Sequence, residues 1–333
     1  MTRVNRFLQL TRRTALCLCS VVCSSSSLVW AQATNQSLGT GTIRLVAPFP
    51  PGTGTDSAAR AFAKALGELT GQPVVVENKA GANGTIAVQA VLQAPADGHT
   101  IFLGSNSTLS TNAALLRKLP YDPLRDLAPI MVIARAPCVV IVPTSSPYKN
   151  LGELISAARK QPGKLNFGSG SPSYQLYTHW MDELANIQGY NVPYKGASEV
   201  LTAIAASQLD YAVVDFTAAA PLIQGGRVRA LALTDEQRSS LLPDLPTSKE
   251  AGLPSFLAFN WTAAAVSAKT PAPLLHRIEE LFAQAGKSKE VTELFQRLAI
   301  KPTLSTAAEM RQFQSDEIAR WKRLADAAKL QVD

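Results

Sequence analysis

Residues 43–60 read IRLVAPFPPGTGTDSAAR. An apolar run over 43–47 stops in the turn Pro-Phe-Pro-Pro-Gly, and the chain restarts as an alanine-rich stretch with helical spacing. The reading is a strand, a tight loop and a helix start. Gly52 and Gly54 lie among threonines, so little side chain covers the backbone N–H groups at the partly positive end of the helix dipole. Such a loop suits an anion, and a plain strand-to-helix connection of an α/β scaffold reads the same way.

Upstream, residues 1–33 carry Arg3, Arg6, Arg12 and Arg13 with no acid, then small and apolar residues over 15–29, then Ala31-Gln32-Ala33. This is the pattern of a secretory signal peptide, with removal near Ala33 and a periplasmic destination. Without that segment the chain has 28 Lys+Arg against 25 Asp+Glu. A net charge that small, with no clustered basic run, gives no support for a nucleic-acid partner. Three of the four cysteines also fall in the segment. Cys138, left alone in an apolar run, reads as a buried small hydrophobe, and no disulfide framework follows.

Downstream, short β-branched runs alternate with helical patterns, which predicts an α/β fold built on a parallel sheet with crossover helices. Strands are expected at 43–47, 74–77, 100–104, 130–134, 139–143, 165–167, 191–194, 211–214 and 228–233. Ala59, Phe62, Leu66 and Leu69 form the apolar stripe of the first helix. Asn150 with Glu153 and Thr306 with Glu309 resemble capping boxes. Chain crossovers near 135–140 and 252–260 would make two lobes with a ligand cleft: signal 1–33, first lobe 34–137 and 255–333, second lobe 138–254. Helices near 274–285, 291–298 and 306–329 would pack back on the first lobe.

Seven motifs in order carry a family resemblance: PFPPGTGTDSAAR (48–60), VVVENKAGANGT (74–85), ADGHTIFLG (96–104), LPYDPLRDLAPI (119–130), NVPYKGASEVLTAI (191–204), GGRVRALAL (225–233) and LPDLPTSKEAGLP (242–254). The chain resembles the Bug-type periplasmic substrate-binding proteins of tripartite tricarboxylate transporters, from residue 43 to the C-terminus. The resemblance implies a type II periplasmic-binding-protein fold, whose two α/β lobes close over a small organic carboxylate and present it to membrane permease subunits. A monomer that is not an enzyme and needs no cofactor is implied with it. In the family the PFPPG-like loop receives one carboxylate, which maps onto Phe49, Pro51, Gly52, Thr53, Gly54 and Thr55. The loops with Ser105-Asn106-Ser107, with Ser169, Ser171, Ser173 and Tyr174, and with Asp215 would complete the pocket.

These residues also have plain readings. Ser105 to Thr108 follow a predicted strand, where Asx and Ser turns give the same composition. Ser173-Tyr174-Gln175-Leu176 replaces a Ser-x-x-His-Leu pattern common in the family, and Tyr174 could stack on an aromatic acid. Asp215 either receives a ligand amine or hydroxyl or caps the helix from Thr217. Lys195 either neutralises a carboxylate or is solvated, and Asp56 and Arg60, four apart on a helix, pair with each other. His99, His179 and His276 stand apart from other ligand types, so no metal site is expected. No G-x-S-x-G, H-E-x-x-H or G-x-x-x-x-G-K motif occurs. Two further roles remain on the same scaffold: a sensor subunit for a membrane signalling protein, and an enzyme using Asp215 with Lys195.

Overall fold

The computed structural model describes residues 38–330 apart from 195 and 299. The expected signal peptide and Lys195 lie outside the described residues. The opening motif folds as read. Strand β1 (Ile43–Ala47) enters the loop, and helix α1 (Gly54–Thr70) leaves it, with Thr53 as N-cap and Gly71 closing the far end in the left-handed region. Ala59, Phe62 and Leu66 are buried, and Phe62 stacks on Phe282 at 5.3 Å. Leu69, expected in the same stripe, is exposed in the last turn.

β1 lies between β2 (Val74–Asn78) and β3 (Thr100–Ser105), parallel to both, with Leu45 opposite Val76 and Ile101. The rest of the sheet departs from the all-parallel expectation. β3 pairs antiparallel with β9 (Phe259–Ser267), which pairs antiparallel with β4 (Leu127–Pro143). Residues 130–134 and 139–143, expected as separate strands, belong to this one 17-residue strand. Its first part, through Pro137, pairs with β9, and its last part, from Cys138, pairs antiparallel with β7 (Ala212–Asp215) and β8 (Val228–Leu233). β5 (Asn166–Ser169) and β6 (Tyr190–Pro193) are parallel to each other, and β5 meets β7 through a parallel Phe167 to Tyr211 bridge. The two-residue β10 (Lys301–Pro302) edges β4.

One core forms around β1, β3 and the first half of β4, covered by α1 and the helices Ala272–Ala285 and Lys289–Arg297. A second surrounds the last half of β4, with Phe167, Tyr177, Trp180 and Tyr211. Cys138 sits in it fully buried, where burial raises its thiol pKa. The two C-terminal helices pack on the first core as expected. The last helix, Ala307–Ala328, does not stay there: Met310 joins a further cluster with Val46, Phe102, Val132 and Trp261, while Trp321, Leu324 and Ala325 enter the second core. Its apolar positions extend over 22 residues, long enough to touch both lobes. Among the described residues no helix is long and apolar enough to cross a membrane.

Candidate functional site

The proline and glycine loop is held from behind. Asp56, almost wholly buried, accepts the Gly52 N–H at 2.9 Å, Arg60 Nε at 3.0 Å and Asn78 Nδ2 at 2.9 Å. Asn78 Nδ2 also donates to the Phe49 carbonyl at 2.9 Å. Burial alone would raise the Asp56 pKa, but donors from Arg60, Gly52 and Asn78 outweigh it and hold the carboxyl below its ordinary value. The Asp56–Arg60 pair is thus present and does structural work. Gly52 adopts φ +88°, which favours glycine, and its N–H is spent on Asp56. That corrects one expectation: the amides left for a ligand are those of Gly54 and Thr55. Among the four that open α1, Asp56 donates to Thr53 Oγ1 and Ser57 to the Thr53 carbonyl, while Gly54 and Thr55 have no intrahelical acceptor.

β3 delivers Ser105 into a π-helical turn, Ser107–Thr111. Ser105 Oγ and Ser107 Oγ are 2.8 Å apart. Asn106 Nδ2 donates to Tyr177 Oη at 2.8 Å, and Tyr177 Oη donates to the Phe259 carbonyl at 2.8 Å. The turn after β3 is thereby tied to the helix that carries Tyr177 and, through it, to β9.

The second-lobe helix Pro172–Ala185 starts at Ser171, whose side chain makes no cap bond. Ser173 Oγ lies 3.1 Å from Thr111 Oγ1. Asp215 caps the helix Phe216–Gln224, accepting from Ala218 N at 3.1 Å and from Thr217 Oγ1. Its other oxygen accepts from Asn260 Nδ2 at 2.9 Å, and the same amide group reaches Tyr174 Oη at 2.7 Å. Burial, then the nearby Asp215 charge, pushes the Tyr174 phenol well above its usual pKa, so it stays a neutral hydroxyl. The two readings of Asp215 are compatible: it caps a helix and it also faces the cavity.

Residues from each of these segments line one cavity of about 600 Å³. Its lining takes Phe49, Gly52, Thr53, Gly54 and Thr55 from the loop after β1, Ser105, Asn106 and Ser107 from the end of β3 and the turn after it, and Ser171, Ser173, Tyr174 and Asp215 from the segments that follow β5 and end β7. Two expected residues do not line it. Pro51 is exposed, and Ser169, at the end of β5, turns its hydroxyl to Asn191 Oδ1 at 2.8 Å. Ser169 therefore fastens β5 to β6.

Sequence reasoning missed Asn260, because β9 itself was missed. Asn260 at the head of the mostly apolar FNWTAAAVS run was the available signal. It also missed Asn83, where Ala82, Asn83 and Gly84 all have positive φ, and the apolar wall of Leu294, Phe295 and Leu298 from the C-terminal helices. Among the described lining residues none is Lys, Arg or His, and Asp215 is the one charged group. An anion here meets uncharged hydroxyls, amides and the positive ends of three helix dipoles. Among the described residues no group of three or more His, Cys, Asp or Glu could hold a metal ion.

A family model described as "Tripartite tricarboxylate transporter family receptor" matches residues 58–330. Protein BugT of Bordetella pertussis (strain Tohama I) is 32% identical over 284 residues, covering 84% of this chain and 86% of that protein. Rpa4515 of R. palustris, solved with adipate, is 32% identical with a TM-score of 0.72, covering 86% of this chain and 97% of that one. MatC (Rpa3494) of Rhodopseudomonas palustris, solved with bound malate, is 29% identical with a TM-score of 0.68, covering 85% of this chain and 98% of that one.

Proposed function

Because the chain belongs to the tripartite tricarboxylate transporter receptor family, we propose that it is an extracytoplasmic receptor that binds a small organic carboxylate between its lobes and hands it to membrane permease subunits. The observation that carries this reading is the cavity wall: donors from both lobes converge on one space whose described lining holds no cation. One ligand carboxylate sits against the Gly54 and Thr55 amides and the Ser105 and Ser107 hydroxyls. The far end faces Ser171, Ser173 and Tyr174, with Asp215 and Asn260 favouring a hydroxyl or amine there. Malate and adipate, bound by two structural neighbours, set the size range.

Energetics support this assignment. Micromolar affinity needs about 8 kcal/mol, and each hydrogen bond to a charged group contributes roughly 1.5–3 kcal/mol. Association and ordering offset several of those bonds, so lobe closure, which dries the site, belongs to the affinity. The same reading has the chain exported to the periplasm with its first 33 residues removed, acting as a monomer and without catalysis. It divides the chain into 34–137 with 255–333 and 138–254, a division supported by the change of β4 partners after Pro137.

The test is a thermal-shift panel on residues 34–333. A ligand at a hundred times its Kd stabilises the folded form by about 2.7 kcal/mol, so malate, adipate or a related acid is expected to raise the melting point. The proposal fails if no carboxylate in a broad panel moves it while neutral sugars do.

A further inference from the structure

A second cavity, of about 530 Å³, lies on the other face of the strands that join the lobes. Side chains alternate across a strand. Ala134 and Ala136 face the ligand cavity, whereas Arg135 lines the second one. Across the pair, Asn260, Trp261 and Thr262 line the first cavity and Phe259 the second. Arg135 stands in β4 two residues before the change of pairing, in the run MVIARAPCVVIV, where an arginine interrupts otherwise apolar chain.

Its guanidinium lies over the Phe313 ring, 4.1 Å from the centroid. Its Nε is shut off from solvent and has no acceptor among the described residues. Opposite, Arg320 lies over Trp180 at 4.3 Å and donates to Glu317 Oε1 at 2.8 Å. Glu317 is buried and already holds the indole N–H groups of Trp321 at 3.0 Å and Trp261 at 3.3 Å. Glu317 is therefore committed; its charge and that of Glu236 act on Arg135, but among the described residues no carboxylate hydrogen-bonds the Arg135 guanidinium. A charged donor kept from water is costly unless an acceptor reaches it.

We propose that this cavity is a second binding site, for a small monocarboxylate, with the Arg135 guanidinium as its anion ligand. Leu257, Phe259 and the ring edges of Phe313 and Trp180 in the lining suit a short apolar tail. Asp235 and Glu236 at the rim, with Glu317 inside, repel a second negative charge. This separates the site's chemistry from that of the cleft, and the proposal does not rest on what the cleft binds.

The test reads Arg135 directly. In the full mature chain, 15N-labelled at arginine, the buried Nε–H of Arg135 is expected as a slowly exchanging resonance, assigned by its absence in Arg135→Lys, which keeps the charge over Phe313. Titration with acetate is expected to move that resonance saturably, while sodium chloride at equal ionic strength does not. The shift is expected to persist in Gly54→Leu, whose cleft is blocked. A resonance that stays still, that moves equally with chloride, or that moves only when the cleft can be filled overturns the proposal. If Arg135→Lys does not fold, Arg135→Gln serves for assignment, and the titration of the unaltered protein still decides. Failure of the cleft to bind any acid would leave this result unaffected.

Discussion

Gly54 and Asp56 divide the work of the opening loop. Asp56 gathers Gly52, Arg60 and Asn78 behind it, so hydrogen bonds within the chain hold the loop from that side. Gly54 faces the open space in front. A Cβ added at Gly54 meets no atom within 4 Å, and its φ is not in the left-handed region. Gly54→Leu is thus expected to keep the melting point within a few degrees while lowering carboxylate affinity at least tenfold, because the new side chain fills the cavity. Calorimetric titration beside a thermal melt checks both halves of that expectation. The glycines of this loop were legible from the motif alone. Which amide was free was not, since the Gly52 N–H is consumed by a side chain four residues on.

At the scale of elements, the helix Pro172–Ala185 carries a buried acid that titrates within reach. Burial pushes Asp182 up to about 7, against the lowering effect of hydrogen bonds from Gly189 N and Tyr211 Oη, each at 3.0 Å. The folded state then holds a proton that the unfolded state, with an ordinary carboxyl near 3.9, has released. Stability from this group is fully present below about pH 4 and is lost as pH rises to about 7, by on the order of 2–4 kcal/mol. Asp182→Asn does not titrate, so urea midpoints measured at pH 5 and pH 8 are expected to differ less in the variant than in the parent. An equal difference would place the titration elsewhere.

Elements differed in how far the chain announced them. The Thr306–Glu309 capping box is complete, with each partner's side chain on the other's backbone. Asn150 caps the helix Leu151–Lys160 as read, but that box is not closed, because Glu153 accepts the N–H of Lys149 and not that of Asn150. These signals are local, lying within one turn. β9 gave no such signal, because three successive alanines have weak strand preference. It forms because β3 and β4 supply hydrogen-bond partners on both edges, and only small side chains fit where Ala263, Ala264 and Ala265 are fully buried.

For the whole molecule, the last helix joins the two cores. Trp321 packs on Tyr177 at 5.2 Å and Trp180 at 5.6 Å, while Met310 on the same helix clusters with Val46, Phe102 and Trp261. Trp321→Ala is expected to cost about 3–5 kcal/mol and to shift a single calorimetric transition downward. Two separated peaks in the unaltered protein would show that the lobes melt independently and that the helix does not couple them.

By itself, the sequence determined the alternation of strands and helices, the turn that opens the first helix, the helix caps and the family. Each rests on residues near one another in the chain, where backbone geometry and side-chain period act directly. Tertiary structure alone decided the antiparallel half of the sheet, the single strand running through both lobes, the place of Asn260 beside Asp215 and the removal of Ser169 from the cavity. Those depend on partners tens of residues away, whose hydrogen bonds and packing exist only once the chain has closed on itself.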